Sequence, residues 1–415
     1  MSEIRPTRRI FCTIAAASLA SLRLPLYGQQ RASTHPDVAS IDHEHILADA
    51  DRALKQAVTP ITSLIAPRSP GTPHDFYSEP DDFYPDPASP TAPWLQKHPS
   101  PSSPVTTNPD AFVAHRYAVY QLGATVAALT AAFVISSDKL YAAKAAEHLR
   151  AWFIAPETRM APSLQFGHRI PNNKSERLEG ILDTLPLAEV ARSIRFLKPS
   201  KVLTSDEFTA LHAWFAEYST WLNESRIGGL VRDSKDHHSS SWLFQCAAYA
   251  DANITGLTSD DTSLDALRHR FHTVTLRAQT NALGFFPREV SAPTPYRNSL
   301  FNLDLLTLSC DLLSTRFENA WEYELQDGPG MRSAIAYHFP FILNRSEWPY
   351  PADATHFKEL PGRRISLLLA GKAYSRPEYV DLWRSLKPLP DTAPPELLRT
   401  FAITQPLLWA NRTKP

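Results

Sequence analysis

Residues 235–242 read KDHHSSSW. Two adjacent imidazoles, an acidic residue before them and three hydroxyls after them suit metal binding, proton transfer or helix capping. Metal ligation needs donors that converge, and neighbouring histidines project in different directions; HxxxH or HxH spacing suits zinc better, so no metal site is expected. Capping suits Ser239, Ser240 and Ser241, which precede the apolar run WLFQCAAYA. Acid–base work suits His237 and His238, because an imidazole titrates near neutrality.

A second group surrounds Tyr296 in FFPREVSAPTPYRNSLFNLD, residues 285–304. Most tyrosines are packed rings with a satisfied hydroxyl. Here Arg288, Glu289 and Arg297 lie close in sequence, and a cation beside a phenol lowers its pKa until the phenolate can serve as a base. Polar groups also concentrate in HDFYSEPDDFYPDP (74–87) and FGHRIPNNKSERLEGILDT (166–184).

The elements that must carry these groups are helical. Val119, Leu122, Val126, Leu129 and Phe133 alternate spacings of three and four, as do Phe208, Leu211, Phe215, Tyr218 and Leu222. Ser137 or Asp138 is expected to cap a helix bearing Tyr141, Ala145, Leu149 and Trp152, and Ser205 the helix starting at Asp206. Further helices are expected near 183–197, 241–251, 262–281, 298–315, 331–343, 376–386 and 395–408. No run alternates strictly in the manner of strands. An all-α toroid of successive helical hairpins, its polar chemistry on the connecting loops, is the simplest architecture.

Composition bounds the rest. Of 415 residues, 43% are hydrophobic and 20% charged, enough to fold, and the net charge of -1 creates no global field for nucleic acid. Residues 1–30 read as an export signal: Arg8 and Arg9 precede IFCTIAAASLASL, too short to span a bilayer, and TRRIF resembles a twin-arginine signal as much as an ordinary secretory one. The expectation is an exported protein, periplasmic or secreted, with no membrane attachment once the signal is removed. Cys246 and Cys310 are expected as buried free thiols. Residues 31–110 form an N-terminal segment whose stretch from 66 to 109 carries twelve prolines, so regular structure is improbable there. Phe76, Tyr77, Phe83, Tyr84 and Trp94 make it an arm that wraps onto the body at 111–410. No heptad seam suggests association, so a monomer is expected.

HDFYSEPDDFYPDP, NPDAFVAHR, LRAWFIAPETRMAP, GILDTLPLAEVARSI, KDHHSSSW with QCAAYA, PYRNSLFNLD and WPYPAD occur in this order. Together, from about residue 45 to about residue 385, they resemble the alginate lyase family of exported polysaccharide lyases. The resemblance implies an incomplete (α/α) toroid whose cleft binds an acidic polysaccharide or oligosaccharide. It implies β-elimination, without a cofactor, in a 4-linked uronic-acid polymer such as alginate or glucuronan, leaving an unsaturated uronate end. One group must neutralise the carboxylate, one must take the C5 proton and one must protonate the leaving oxygen. The resemblance places His238 on the family's histidine and His237 on the asparagine before it. It makes His238 the candidate base or carboxylate-binding group, and Tyr296 the proton donor or the base. A protonated His237 would neutralise the substrate carboxylate. Arg288 and Arg177 are candidate carboxylate ligands.

Phe83 and Tyr84 stand where paired tryptophans are common, Asn298 where a second tyrosine is usual, and Ser291, Ala292 and Thr294 where cations are usual. With Arg297 and Trp242, the residues Phe83, Tyr84 and Asn298 complete the expected substrate-binding set. Two alternatives remain: an inverting glycoside hydrolase using Glu179, Asp183 or Glu289, with Asp183 equally readable as a helix N-cap, and a non-catalytic binder of acidic glycans.

Overall fold

The structure is a computed structural model that describes residues 37–97, 107–173, 175, 177–252, 261–353, 355–388 and 395–410. The expected export signal lies outside the described residues. Helices α1 (Val38–Ile41), α2 (His43–Ala53), α3 (Ala114–Ser136), α4 (Lys139–Leu149), α5 (Gly180–Asp183), α6 (Leu187–Leu197), α7 (Ser205–Glu224), α8 (Arg226–Arg232) and α9 (His237–Ala252) lead into α10 (Asp261–Arg270) and α11 (Leu276–Gln279). Helices α12 (Pro295–Leu313), α13 (Met331–Leu343), α14 (Ile365–Ala373), α15 (Pro377–Ser385), α16 (Pro395–Leu398) and α17 (Leu407–Ala410) follow. The chain folds as the expected incomplete all-α toroid. Helices α3, α6, α9, α12 and α14 each pack on the next and form its inner ring.

Inner-ring helices lack an exposed polar face because neighbours cover them on several sides. In α9 every residue from Ser239 to Ala252 is buried, and α12 is nearly as enclosed. Among the described residues, α3 is the one helix long and apolar enough to cross a membrane, but its apolar surface packs against α2, α4 and α6. Cys246 and Cys310 are buried free thiols, and burial pushes Cys246 up to about 12.

Helix starts follow local chemistry. Asp138 accepts the Leu140 N–H and opens α4. Thr204, not Ser205, caps α7, in a reciprocal box with Glu207. The serines of KDHHSSSW do not cap: α9 begins two residues earlier, at His237, and Ser239, Ser240 and Ser241 lie buried inside it. Asp183 is not an N-cap either; it ends α5, fully buried. The helix expected over 395–408 is only two short turns, α16 and α17. Buried Glu189 accepts the Thr404 and Gln405 N–H groups, while Arg364 and Arg192 donate to the carbonyls of Thr400 and Leu408. Side chains of the ring thus take backbone groups that a continuous helix would pair internally. Helix α14, ISLLLAGKA, is apolar on all sides and shows no helical periodicity to read.

The proline-rich arm wraps onto the body. Ser78 donates its N–H to Phe166 O, Arg169 donates back to Ser78 O, and strands β1 (Phe83–Tyr84) and β2 (Leu95–Gln96) pair antiparallel. Phe83, Trp94, Ala111 and Ile170 form a small core of their own beneath it.

Arg364 and Asp304 form a buried pair at 2.8 Å between α12 and the residue preceding α14. Removing one partner strands the other charge, so Arg364→Met should lower unfolding free energy by about 3–5 kcal/mol in denaturant titration, with partial recovery when Asp304→Asn is added. A single-variant loss below about 1 kcal/mol would contradict this assignment.

Candidate active site

The cavity that gathers the polar segments is about 470 Å³ and open to solvent along one side. It lies between the arm, the 166–184 loop, the starts of α9 and α12, and the C-terminal strap formed by residues 395–410. Asp353 sets the wall made by α12. Its buried carboxylate accepts the N–H groups of Tyr296 at 2.9 Å and Arg297 at 2.7 Å, so it caps the first turn where the helix dipole favours an anion. This start, at Pro295, fixes which side chains face inward.

Residues two apart on a helix are rotated by about 200°, and the consequence is decisive for Tyr296 and Asn298. Thr294, Arg297, Asn298 and Phe301 face the cavity. Tyr296 faces the core, fully buried between Trp348 and Phe357, with its hydroxyl donated to Phe341 O at 2.9 Å. Burial holds the phenol well above its ordinary pKa. Tyr296 is therefore neither base nor proton donor in the cavity, and among the described residues no tyrosine lines it. Thr294 donates to Asn298 Oδ1, which leaves the Asn298 amide N–H groups to the cavity.

The histidines open α9. His237 lines the cavity, and the ring of His238, outside that lining but partly exposed, stacks on it with centroids 4.3 Å apart. Each Nδ1 is held by its own carboxylate: His237 by buried Glu289, 2.9 Å away, and His238 by Asp236, 2.9 Å away. The backbone N–H of His237 also donates to Glu289 Oε1 at 2.6 Å. Burial opposes charge on His237, but the Glu289 carboxylate and its hydrogen bond outweigh it and raise the pKa. Burial and the neighbouring charge on His237 lower the pKa of His238 despite Asp236. One ring is thus biased toward the cation and its stacked neighbour toward the neutral base.

Other expected site residues fall elsewhere. Arg288 is exposed and outside the cavity lining, because its neighbour Glu289 turns inward instead. Trp242 is buried, donating Nε1–H to Leu222 O at 3.0 Å beneath Arg270, so it packs the core rather than binding substrate. Phe83 is buried and supports Arg177, whose guanidinium lies 5.4 Å from its ring centroid. Tyr84 lies outside the lining, covered by Lys97 at 3.9 Å. Arg177 lines the cavity, paired with Glu179, and Arg297 lines it with a guanidinium N–H on Thr294 Oγ1.

Sequence reasoning missed Arg116, His168 and Arg399. Arg116 is fully buried, 2.8 Å from Asp183, and reaches Asp81 at 3.1 Å. Arg399, from the strap, lies 3.6 Å from Asp81 and 3.7 Å from Asp183. His168 holds a left-handed backbone (φ 55°) with its N–H on Ser78 Oγ, and burial with the Arg116 and Arg399 charges keeps it neutral. The HR pairs at 115–116 and 168–169 offered a weak signal, whereas Arg399 offered none.

A family model described as Alginate lyase matches residues 61–348, well over half of the chain. The solved structure of an alginate lyase from Bacteroides ovatus is similar at a TM-score of 0.74 and 24% identity, covering 87% of this chain and 93% of that one. Alginate lyase A1-III from Sphingomonas species A1 is similar at 0.52 and 14% identity, covering 89% and 95%. A tyrosine-to-phenylalanine variant of A1-III complexed with tetrasaccharide is similar at 0.52 and 15% identity, covering 92% and 96%. No curated protein matches.

Two outcomes test this geometry. In histidine-resolved NMR titration His237 should titrate above His238, and Glu289→Gln should lower the first and raise the second; coincident, unmoved titrations would contradict the coupling. Tyr296→Phe should cost about 1–3 kcal/mol of stability by stranding Phe341 O, while activity stays within about twofold.

Proposed function

The chain belongs to the alginate lyase family, and on that premise we propose that it cleaves a polysaccharide containing 4-linked uronic acid by β-elimination. The carrying observation is the stacked pair His237 and His238, each on its own carboxylate and biased to opposite protonation states. A C5 proton beside an ionised carboxylate is weakly acidic, so the charge must first be offset. Imidazolium His237, Arg297 and the Asn298 amide are the groups that do this in the proposal, acting on charge that grows as the C5 carbanion forms.

His238 takes the C5 proton. With Nδ1 occupied by Asp236, its Nε2 carries the lone pair that accepts it. The C5–H electron pair becomes the C4=C5 double bond, the C4–O bond breaks, and the leaving oxygen takes a proton from the newly formed His238 imidazolium, which the adjacent charge on His237 makes short-lived. One residue then serves both steps on one face of the sugar, and no phenol is required. We further propose that the protein acts outside the cytoplasm, on the strength of residues 1–30.

Incubation with polymannuronate, polyglucuronate and a polymer alternating 4-linked glucuronate with N-acetylglucosamine should generate ultraviolet absorbance from the new double bond on at least one of them; silence on every polymer would sink the proposal. His238→Ala should reduce the rate by at least about 10²-fold. Because His237 is required as the cation, wild-type activity should fall as pH rises through its raised pKa. His237→Asn, carrying a neutral amide, should lose that alkaline limb. An identical limb in the variant would remove His237 from the role.

A further inference from the structure

The charges lining the cavity are unevenly committed. Among the described residues Arg177 is paired with Glu179, Arg399 lies between Asp81 and Asp183, and His237 is held by Glu289. Among the described residues Arg297 is the one lining guanidinium with no ion pair, and its only side-chain hydrogen bond there is to Thr294 Oγ1. On the other side of the balance, Asp82 and Glu396 line the same cavity and form no ion pair among the described residues. Asp82 accepts from Gln96 at 2.7 Å and Glu396 from the Tyr117 hydroxyl at 2.9 Å, both neutral donors.

A polymer with a carboxylate on every ring would thus find one uncommitted guanidinium and two uncommitted carboxylates in the same space. Each additional substrate anion would meet like charge in a partly desolvated cleft, where repulsion is screened less than in water. Neutral hydrogen-bonding side chains, including Thr107, Thr355 and Thr400, line the remaining surface and suit sugar hydroxyls or amides.

We propose that the cleft selects a chain of lower charge density than a homopolyuronate: a single 4-linked uronate, its carboxylate at Arg297 and His237, flanked by uncharged sugars. Asp82 and Glu396 exclude the fully charged chain by leaving its flanking carboxylates unpaired beside like charge, discrimination by repulsion as much as by attraction. This deepens the lyase proposal and rests on it for the position of the cleaved uronate, but not for the selectivity of binding.

The test is calorimetric binding of two tetrasaccharides to the full chain carrying His238→Ala, which prevents turnover. One probe is tetramannuronate, charged on every ring; the other alternates 4-substituted glucuronate with N-acetylglucosamine. The alternating probe should bind at least about tenfold tighter at low salt, and adding Asp82→Asn with Glu396→Gln should narrow the gap by strengthening tetramannuronate binding. Equal or tighter binding of tetramannuronate, or no binding of either probe, overturns the proposal. Wild-type protein is assayed in parallel for double-bond formation: selective binding without that product supports the charge selectivity and counts against the lyase proposal alone.

Discussion

Burying a guanidinium or a carboxylate costs several kcal/mol per ion before any attraction is counted. Arg116 and Asp183 are both fully excluded from solvent, so their 2.8 Å contact stands only because neighbouring groups satisfy what remains. Arg116 also donates to Glu79 O and reaches Asp81, while Asp183 accepts from Ser78 Oγ. Every one of those partners except Asp183 belongs to the proline-rich arm. The arm has almost no regular structure with which to hold its own backbone, so charge adds to the small core under Phe83 and Trp94 in holding it. Glu79 continues the same network by accepting from Arg68, the Tyr77 hydroxyl and the Phe112 N–H. Arg399 brings the C-terminal strap to the far side of the same carboxylates. One ion cluster therefore joins arm, α3, the 166–184 loop and strap, and these segments form much of the cleft wall.

The histidine pair uses the same physics at smaller scale. Two rings stacked 4.3 Å apart cannot easily both be charged, so the carboxylate partners decide which ring is. Glu289 is buried and contacts His237 twice, through the ring and through the backbone N–H. Asp236 shares its Oδ1 among the His238 ring, the His238 N–H and Ser234 Oγ, and is half-exposed. The better-placed, less hydrated anion holds the proton on His237. Charge there makes His238 a poorer proton holder, which keeps its ring neutral and its lone pair available.

Much of the toroid was legible because the apolar residues of α3 and α7 recur at spacings of three and four, and the motif order indicated which loops converge. What escaped were quantities set by distant residues. The side of α12 on which Tyr296 and Asn298 fall depends on where the helix starts, and Asp353, 57 residues onward, fixes that start. Placing the start near residue 298 left Tyr296 in a loop with access to the cleft; starting it at Pro295 turns the ring into the core. Glu289 was visible as an acidic residue near Tyr296, but its partner His237 is 52 residues away. Arg399 lay in a stretch whose composition suits a helix, and only the pull of Glu189, Arg192 and Arg364 on its backbone makes it a strap.

These commitments also bear on how bond cleavage is divided among the side chains. A hydrolase of the inverting kind needs two carboxyl groups, one free to give a proton and one free to activate water. Glu289 is buried and spent on His237, Asp183 is spent on Arg116 and Ser78, and Glu179 is paired with Arg177. Taking any of them for hydrolysis would leave a cation uncompensated, two of the three at buried sites. The imidazoles are placed the other way round: each is anchored through Nδ1, and neither Nε2 has a hydrogen-bond partner among the described residues. The proton transfer proposed for His238 would leave the supporting ion pairs intact, and that economy favours elimination over hydrolysis in this cleft.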